Sequence, residues 1–164
     1  MNCEKKYEMT EEVLQIYGRT LRRIRALKNF ADVKIGDLGG FIEKDENLSH
    51  IGDSWIYGDA KVYDNARIYD NACIFGNARV YDDVRVFGNG LVRGREDIFW
   101  ISAIGSRNGT TTFFNCEDGK IRVSCGCFYG DLDEFLEAVN KTHGDNEYGQ
   151  VYRLAIEMAR IRIR

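Results

Sequence analysis

The sequence predicts a mixed fold: a short β-solenoid of about three coils, preceded by a β-hairpin and followed by an α/β segment. Three observations lead there. Six aromatic residues recur at intervals of six, at Tyr57, Tyr63, Tyr69, Phe75, Tyr81 and Phe87. Each follows an aliphatic residue (Ile56, Val62, Ile68, Ile74, Val80, Val86), and a small residue closes each unit (Ala60, Ala66, Ala72, Ala78, Val84, Gly90). Proline is absent, so Gly, Asn and Asp must make the corners. A fixed short period of this kind marks a stacked repeat architecture.

Three segments follow in order. Residues 1–37 form a head in which Val13 to Ile16 and Leu21 to Leu27 flank Tyr17-Gly18-Arg19-Thr20, a hairpin pattern. A helix over 10–27 competes with it, but Gly18 interrupts the run. Residues 38–97 are the repeat. Alternation of period two puts Ala60 and Val62 inside and Lys61 and Tyr63 outside, and Asp64-Asn65 turns the corner, with Asn in the left-handed region. Stacking at 18 residues then sorts the outward side chains onto three faces. Two mix cations with rings: Lys61, Tyr63, Arg79 and Tyr81 on one, and Arg67, Tyr69, Arg85 and Phe87 on the other. The third, Trp55, Tyr57, Cys73, Phe75 and Leu91, is apolar and needs a cover from the flanks or from a partner subunit.

Residues 98–164 read as a three-stranded antiparallel sheet with two helices. The strands are Ile98 to Ile104, Thr110 to Asn115 and Ile121 to Cys125. Asp131 with Glu134 is a capping box, opening a helix whose apolar face is Leu132, Phe135, Leu136 and Val139. A last helix over about 146–162 places Tyr148, Val151, Ala155 and Met158 on one stripe.

Composition bounds the function. A chain of 164 residues with 44% hydrophobic and 30% charged residues suits a soluble globular protein. A net charge of -3 argues against a generic grip on duplex nucleic acid. No apolar run spans a membrane, and the start MNCEKKYEMT has no secretory h-region. Five cysteines (Cys3, Cys73, Cys116, Cys125, Cys127) are then expected as reduced thiols in a bacterial host cytosol.

The repeat resembles the hexapeptide repeat of left-handed β-helix proteins, in which an aliphatic points inward and a small residue follows four positions later. That resemblance implies the left-handed sense, three hexads per coil and a homo-oligomer, most often a trimer. The departure is the ring after each aliphatic, where the family usually has a small or acidic residue. The head is similar to a bacterial hexapeptide-repeat family named as transferases. The matching residues are Arg23-Ile24-Arg25-Ala26-Leu27, Asp32-Val33-Lys34, Gly36-Asp37-Leu38-Gly39-Gly40-Phe41-Ile42, Asn47-Leu48-Ser49, Gly52-Asp53 and Trp55-Ile56-Tyr57. The same head joined to Ile104-Gly105-Ser106-Arg107-Asn108, Thr110-Thr111-Thr112-Phe113-Phe114 and Cys125-Gly126-Cys127-Phe128 is similar to proteins common in bacteriophage genomes.

Three chemistries compete. An acyltransferase of the hexapeptide class would use acyl-CoA and a histidine base, yet neither His50 nor His143 lies in a matching hexad. Cys125, Cys127, Cys116 and His143 could complete a tetrahedral metal set, but C-x-C alone is weak evidence and buried reduced thiols next to a tight turn are the favoured reading. Gly105 to Thr112 combines free backbone N–H groups, hydroxyls and an Arg fork suited to phosphate oxygens, against the plainer reading of a hairpin turn.

The expectation is a non-enzymatic, phage-encoded oligomer that sequesters a small phosphorylated, nucleotide-type signal of antiviral defence, without cofactor or metal. Arg107 would pair with phosphate, and Ser106, Asn108, Thr110, Thr111 and Thr112 would donate hydrogen bonds. Phe113 or Tyr129 would stack on a base, and Arg22, Arg23 or Arg25 of a neighbouring subunit would add charge. An acyltransferase and a purely structural assembly protein are the alternatives.

Overall fold

Tyr17 and Gly18, both at positive φ (48° and 77°), form a two-residue turn between β1 (Tyr7–Ile16) and β2 (Arg19–Ala26). The computed structural model that shows this describes residues 4–164, so Cys3 lies outside the described residues. The chain divides into two compact units, Met1–Asn89 and Gly90–Arg164.

In the first unit the hairpin does not stand apart as a head. β2 pairs antiparallel with β3 (Leu38–Ile42), β3 pairs in parallel with β5 (Lys61–Val62), and β5 with β8 (Arg79–Val80), which makes one mixed five-stranded sheet. The other short strands pair in parallel elsewhere: β4 (Trp55–Ile56) with β7 (Cys73–Ile74), and β6 (Arg67–Ile68) with β9 (Arg85–Val86). Partners in the repeat lie 18 positions apart, and Asn65 bonds Asp83 across that spacing at 3.1 Å.

The expected architecture, a left-handed β-helix of about three coils flanked by a hairpin and a three-stranded sheet, is corrected by these pairings. The described strands form four separate small sheets, antiparallel and parallel, accompanied by two helices. The physical reason is hydrogen bonding: β2 offers its free edge to β3 and so draws the hairpin and part of the repeat into one sheet.

The aliphatic column is fully buried, with Ile56, Val62, Ile74, Val80 and Val86 all at 0% exposure. The rings stack in pairs: Tyr57 on Phe75 at 4.3 Å, Tyr63 on Tyr81 at 5.1 Å, and Tyr69 on Phe87 at 4.7 Å. The corner residue in the left-handed region is the one directly after each ring, as at Asp64 (φ 56°), Asp70 (55°) and Asp82 (59°). Asn65 does not adopt it, because Asp in αL is tolerated equally well one position earlier.

Tyr63 does not face water. It is 4% exposed and packs with Leu21 and Phe41 under the hairpin, alongside Leu14 and Ile16. The apolar third face is covered in part from within its own unit. Trp55 is buried against Tyr7 (6.2 Å) and Phe30 (5.3 Å), and the Tyr57 hydroxyl donates to the Asp32 carboxylate at 2.6 Å.

The second unit contains β10 (Leu91–Val92) and an antiparallel sheet of β11 (Ile98–Ile104), β12 (Gly109–Asn115), β13 (Ile121–Cys125) and β14 (Phe128–Asp131). The fourth strand was not predicted. Gly126 (φ 58°) and Cys127 make a two-residue turn that folds Phe128 back onto Cys125, which a four-residue stretch containing Gly130 conceals in the sequence. α1 (Leu132–His143) starts at the Asp131 capping box, whose carboxylate accepts from the backbone N–H groups of Asp133 and Glu134. α1 and α2 (Glu147–Arg162) cover one sheet face, where Phe113, Val123, Phe135, Val139, Tyr152 and Ile156 form the core. The buried stripe of α2 is Tyr152, Ala155, Ile156 and Ala159, turned by roughly one residue, or 100°, from the predicted Tyr148, Val151, Ala155 and Met158. Among the described residues no helix is long and apolar enough to cross a membrane.

Two outcomes follow from this packing. Tyr63→Ala is expected to cost about 3 kcal/mol in urea unfolding, and Tyr69→Ala, at a half-exposed site, distinctly less. Equal losses would show that the hairpin does not clamp Tyr63. Burial also pushes the Cys116 thiol from 9.0 up to about 11. A thiol whose folded pKa is raised contributes stability that is fully present below pH 9 and is lost as pH rises through 9 to 11. Unfolding free energies of wild type and Cys116→Ala should therefore converge across that window, and parallel curves would refute the assignment.

Candidate functional site

The β11–β12 hairpin ends in a turn closed by the Asn108 N–H donating to the Gly105 carbonyl at 3.1 Å. Gly105 (φ 74°) and Asn108 (φ 53°) both occupy the left-handed region. Just before it, the register slips between Ile101 and Ile104, and Ala103 takes φ 60°. That bulge stores local strain at the end of the hairpin that presents the turn. Ser106, Arg107 and Asn108 are exposed at the tip. Among the described residues Arg107 makes no ion pair or side-chain hydrogen bond, although its charge reaches Tyr152.

Beneath the turn sits a polar cluster. Tyr152 of α2 brings its hydroxyl against Gly105, where a Cβ would overlap it. The same hydroxyl accepts a weak bond from Cys125 Sγ at 3.7 Å, and Cys125 accepts from Thr111 Oγ1 at 3.2 Å. The His143 ring stacks on Tyr152 with centroids 5.6 Å apart. Burial pushes the Tyr152 phenol up to about 12, with Cys125 adding to the rise and the Arg107 charge opposing it. The phenol is a neutral donor at physiological pH. The arrangement therefore supplies one guanidinium, exposed hydroxyl and amide groups, and a firm floor, which suits holding an anion.

Not every residue named from sequence joins this site. Strand alternation splits the threonines: Thr111 is buried toward the helices, whereas Thr112 is buried on the opposite sheet face. Thr110 is half-buried and shares a 2.9 Å hydrogen bond with Ser102. Phe113 is fully buried, 5.7 Å from Phe99 and 6.2 Å from Phe135, so the assignment of Phe113 as a stacking ring is corrected. Tyr129 is 42% exposed on β14, with its phenol raised by desolvation and then by Cys116, away from the turn.

Arg22, Arg23 and Arg25 belong to the first unit and are engaged there. Arg23 donates to the Gly39 carbonyl at 2.8 Å, pairs with Glu12 and Asp59, and lies 4.3 Å over the Phe41 ring. Arg25 pairs with Glu8, and Arg22 reaches the Thr10 carbonyl at 3.3 Å. Their role is to hold β1, β3 and a corner of the repeat onto β2.

Lys6, which sequence reasoning missed, and His50, the candidate transferase base, are both structural in geometry. The fully buried Lys6 donates through Nζ to the carbonyls of Ser54 (2.7 Å) and Gly52 (3.2 Å), and burial lowers its pKa to about 8. Its backbone N–H donates to His50 Nδ1 at 3.1 Å, while His50 Nε2 meets Asp45 at 3.0 Å and the ring stacks on Tyr7. Both nitrogens of His50 are thus occupied, which leaves the proposed transferase base without a free lone pair. Among the described residues no group of His, Cys, Asp and Glu could hold a metal ion, and the Cys116, Cys125, Cys127 and His143 set does not assemble.

The chain matches no family model and no curated protein.

The floor of the turn yields a double-mutant test. Gly105→Ala is expected to cost about 2 kcal/mol, from its positive φ and from overlap with Tyr152. Adding Tyr152→Phe should recover part of that loss, giving a favourable coupling in thermal or urea unfolding. Strict additivity of the two changes would show that the turn does not rest on the phenol.

Proposed function

We propose that this chain is a non-enzymatic binding protein that captures a small phosphorylated, nucleotide-type ligand at the β11–β12 turn. The observation that carries the reading is Arg107: an exposed guanidinium with no carboxylate partner among the described residues, flanked by Ser106 and Asn108. An arginine free of local pairing at a tight turn is available for the bidentate geometry that phosphate oxygens accept. Thr110, two positions beyond Asn108, would contribute a hydroxyl that otherwise bonds Ser102. Thr111 and Tyr152 support the turn from behind and are positioning residues. Base stacking does not fall to Phe113, which leaves phosphate recognition as the main source of affinity.

The likeness of the head and tail to proteins of bacteriophage genomes supports a role in sequestering a nucleotide signal of antiviral defence. A binder of this kind returns its ligand chemically intact. The acyltransferase alternative loses its support in the double engagement of His50.

Thermal-shift measurements against cyclic dinucleotides, cyclic ADP-ribose isomers and acetyl-CoA separate these readings. A phosphate-bearing nucleotide should raise the melting temperature and be recovered unchanged by mass spectrometry. Arg107→Ala should weaken its binding by about tenfold or more, the loss of a charge-assisted contact. Stabilisation by acetyl-CoA alone, or a ligand recovered in altered form, would overturn the proposal.

A further inference from the structure

The outward ridge of α2 is apolar. Val151, Leu154, Met158 and Ile161 are 37%, 66%, 49% and 75% exposed, although the opposite stripe of the same helix already fills the core. Their spacing of three, four and three residues is that of a helix–helix seam. Grooves run along both sides of the ridge. One, of about 480 Å³, is lined by Leu136, Leu154 and Ile156, and the other, of about 620 Å³, by Phe99, Met158 and Ile161.

We propose that this ridge is a twofold interface, on which α2 of a second copy of the chain packs antiparallel. Charge selects the occupant and the direction. Asp145 and Glu147 stand at the N-terminal end of the helix, and Arg160, Arg162 and Arg164 at its C-terminal end. Among the described residues Glu147 and Arg162 have no ion-pair partner within the chain. An antiparallel pair brings Glu147 of each copy within one helical turn of Arg162 of the other, twice per dimer, and opposes the helix dipoles. A parallel pair would set acid against acid and arginine against arginine.

The seam is self-complementary in this arrangement. Leu154 meets Met158 of the second copy, and Val151 meets Ile161, about an axis near Ile156. The flanking grooves receive the side chains of the opposing ridge. The inference does not depend on the ligand reading, and it gives a twofold pair where the family resemblance implied a trimer.

Light scattering at about 100 μM protein, a concentration at which small helix-pair interfaces are populated, should give the mass of two chains. Leu154→Glu with Ile161→Glu should give a monomer of unchanged helicity. Glu147→Arg alone should weaken the pair by about tenfold, and Glu147→Arg with Arg162→Glu should restore it. A wild-type monomer or trimer, a dimer indifferent to the ridge changes, or failure of the charge swap to restore association would each overturn the proposal.

Discussion

Strands of two residues cannot satisfy their own backbone, and the first unit is organised around that constraint. Each such strand exposes N–H and C=O groups that must find partners once its aliphatic side chain is buried. The bonded carbonyls lie 17 positions on, in the strand whose register partners are 18 away. Lys61 N–H donates to Ala78 O at 2.9 Å, Arg67 to Val84 at 2.9 Å, and Tyr57 to Ile74 at 2.7 Å. Burial of the aliphatic column and pairing of the backbone are thus one event. The stacked rings follow, because residues held in register at this spacing bring identical positions face to face.

The same constraint explains how the flanking chain is used. β3 presents an edge that β2 completes, and Arg23 reinforces the join by bonding a β3 carbonyl, a corner carbonyl and a corner carboxylate together. Lys6 does comparable work by tying down two carbonyls of the loop before β4. Its cost appears in the lowered pKa: the folded state holds the charge less readily than water does. Local arginines, which in a sequence suggest ligand chemistry, are here spent on carboxylates and backbone oxygens of their own unit, and a buried lysine on backbone oxygen.

Part of the candidate site was legible from residue order. Gly105 to Gly109 reads as a turn because Gly and Asn tolerate positive φ, and that alone exposes Arg107. The rest was not. Thr111 and Thr112 are adjacent, yet strand geometry sends them to opposite faces, and Phe113 enters a core completed by α1 and α2. Tyr152, the floor of the turn, lies far along the chain, and only Gly105, needing room for a phenol, hints at it.

By itself the sequence determined local matters: the six-residue period, a hairpin connection within Tyr17-Gly18-Arg19-Thr20, the capping box at Asp131 and the turn that carries Arg107. These depend on backbone preferences and hydrogen bonds within a few residues. Tertiary structure decided which strands share a sheet, whether Tyr63 meets water, and which stripe of α2 turns inward. α2 carries apolar residues on nearly all sides, so periodicity allows more than one stripe. The choice falls to the one that packs Tyr152, Ala155, Ile156 and Ala159 against Phe113 and Phe135, because small residues let the helix approach a sheet face already crowded with rings.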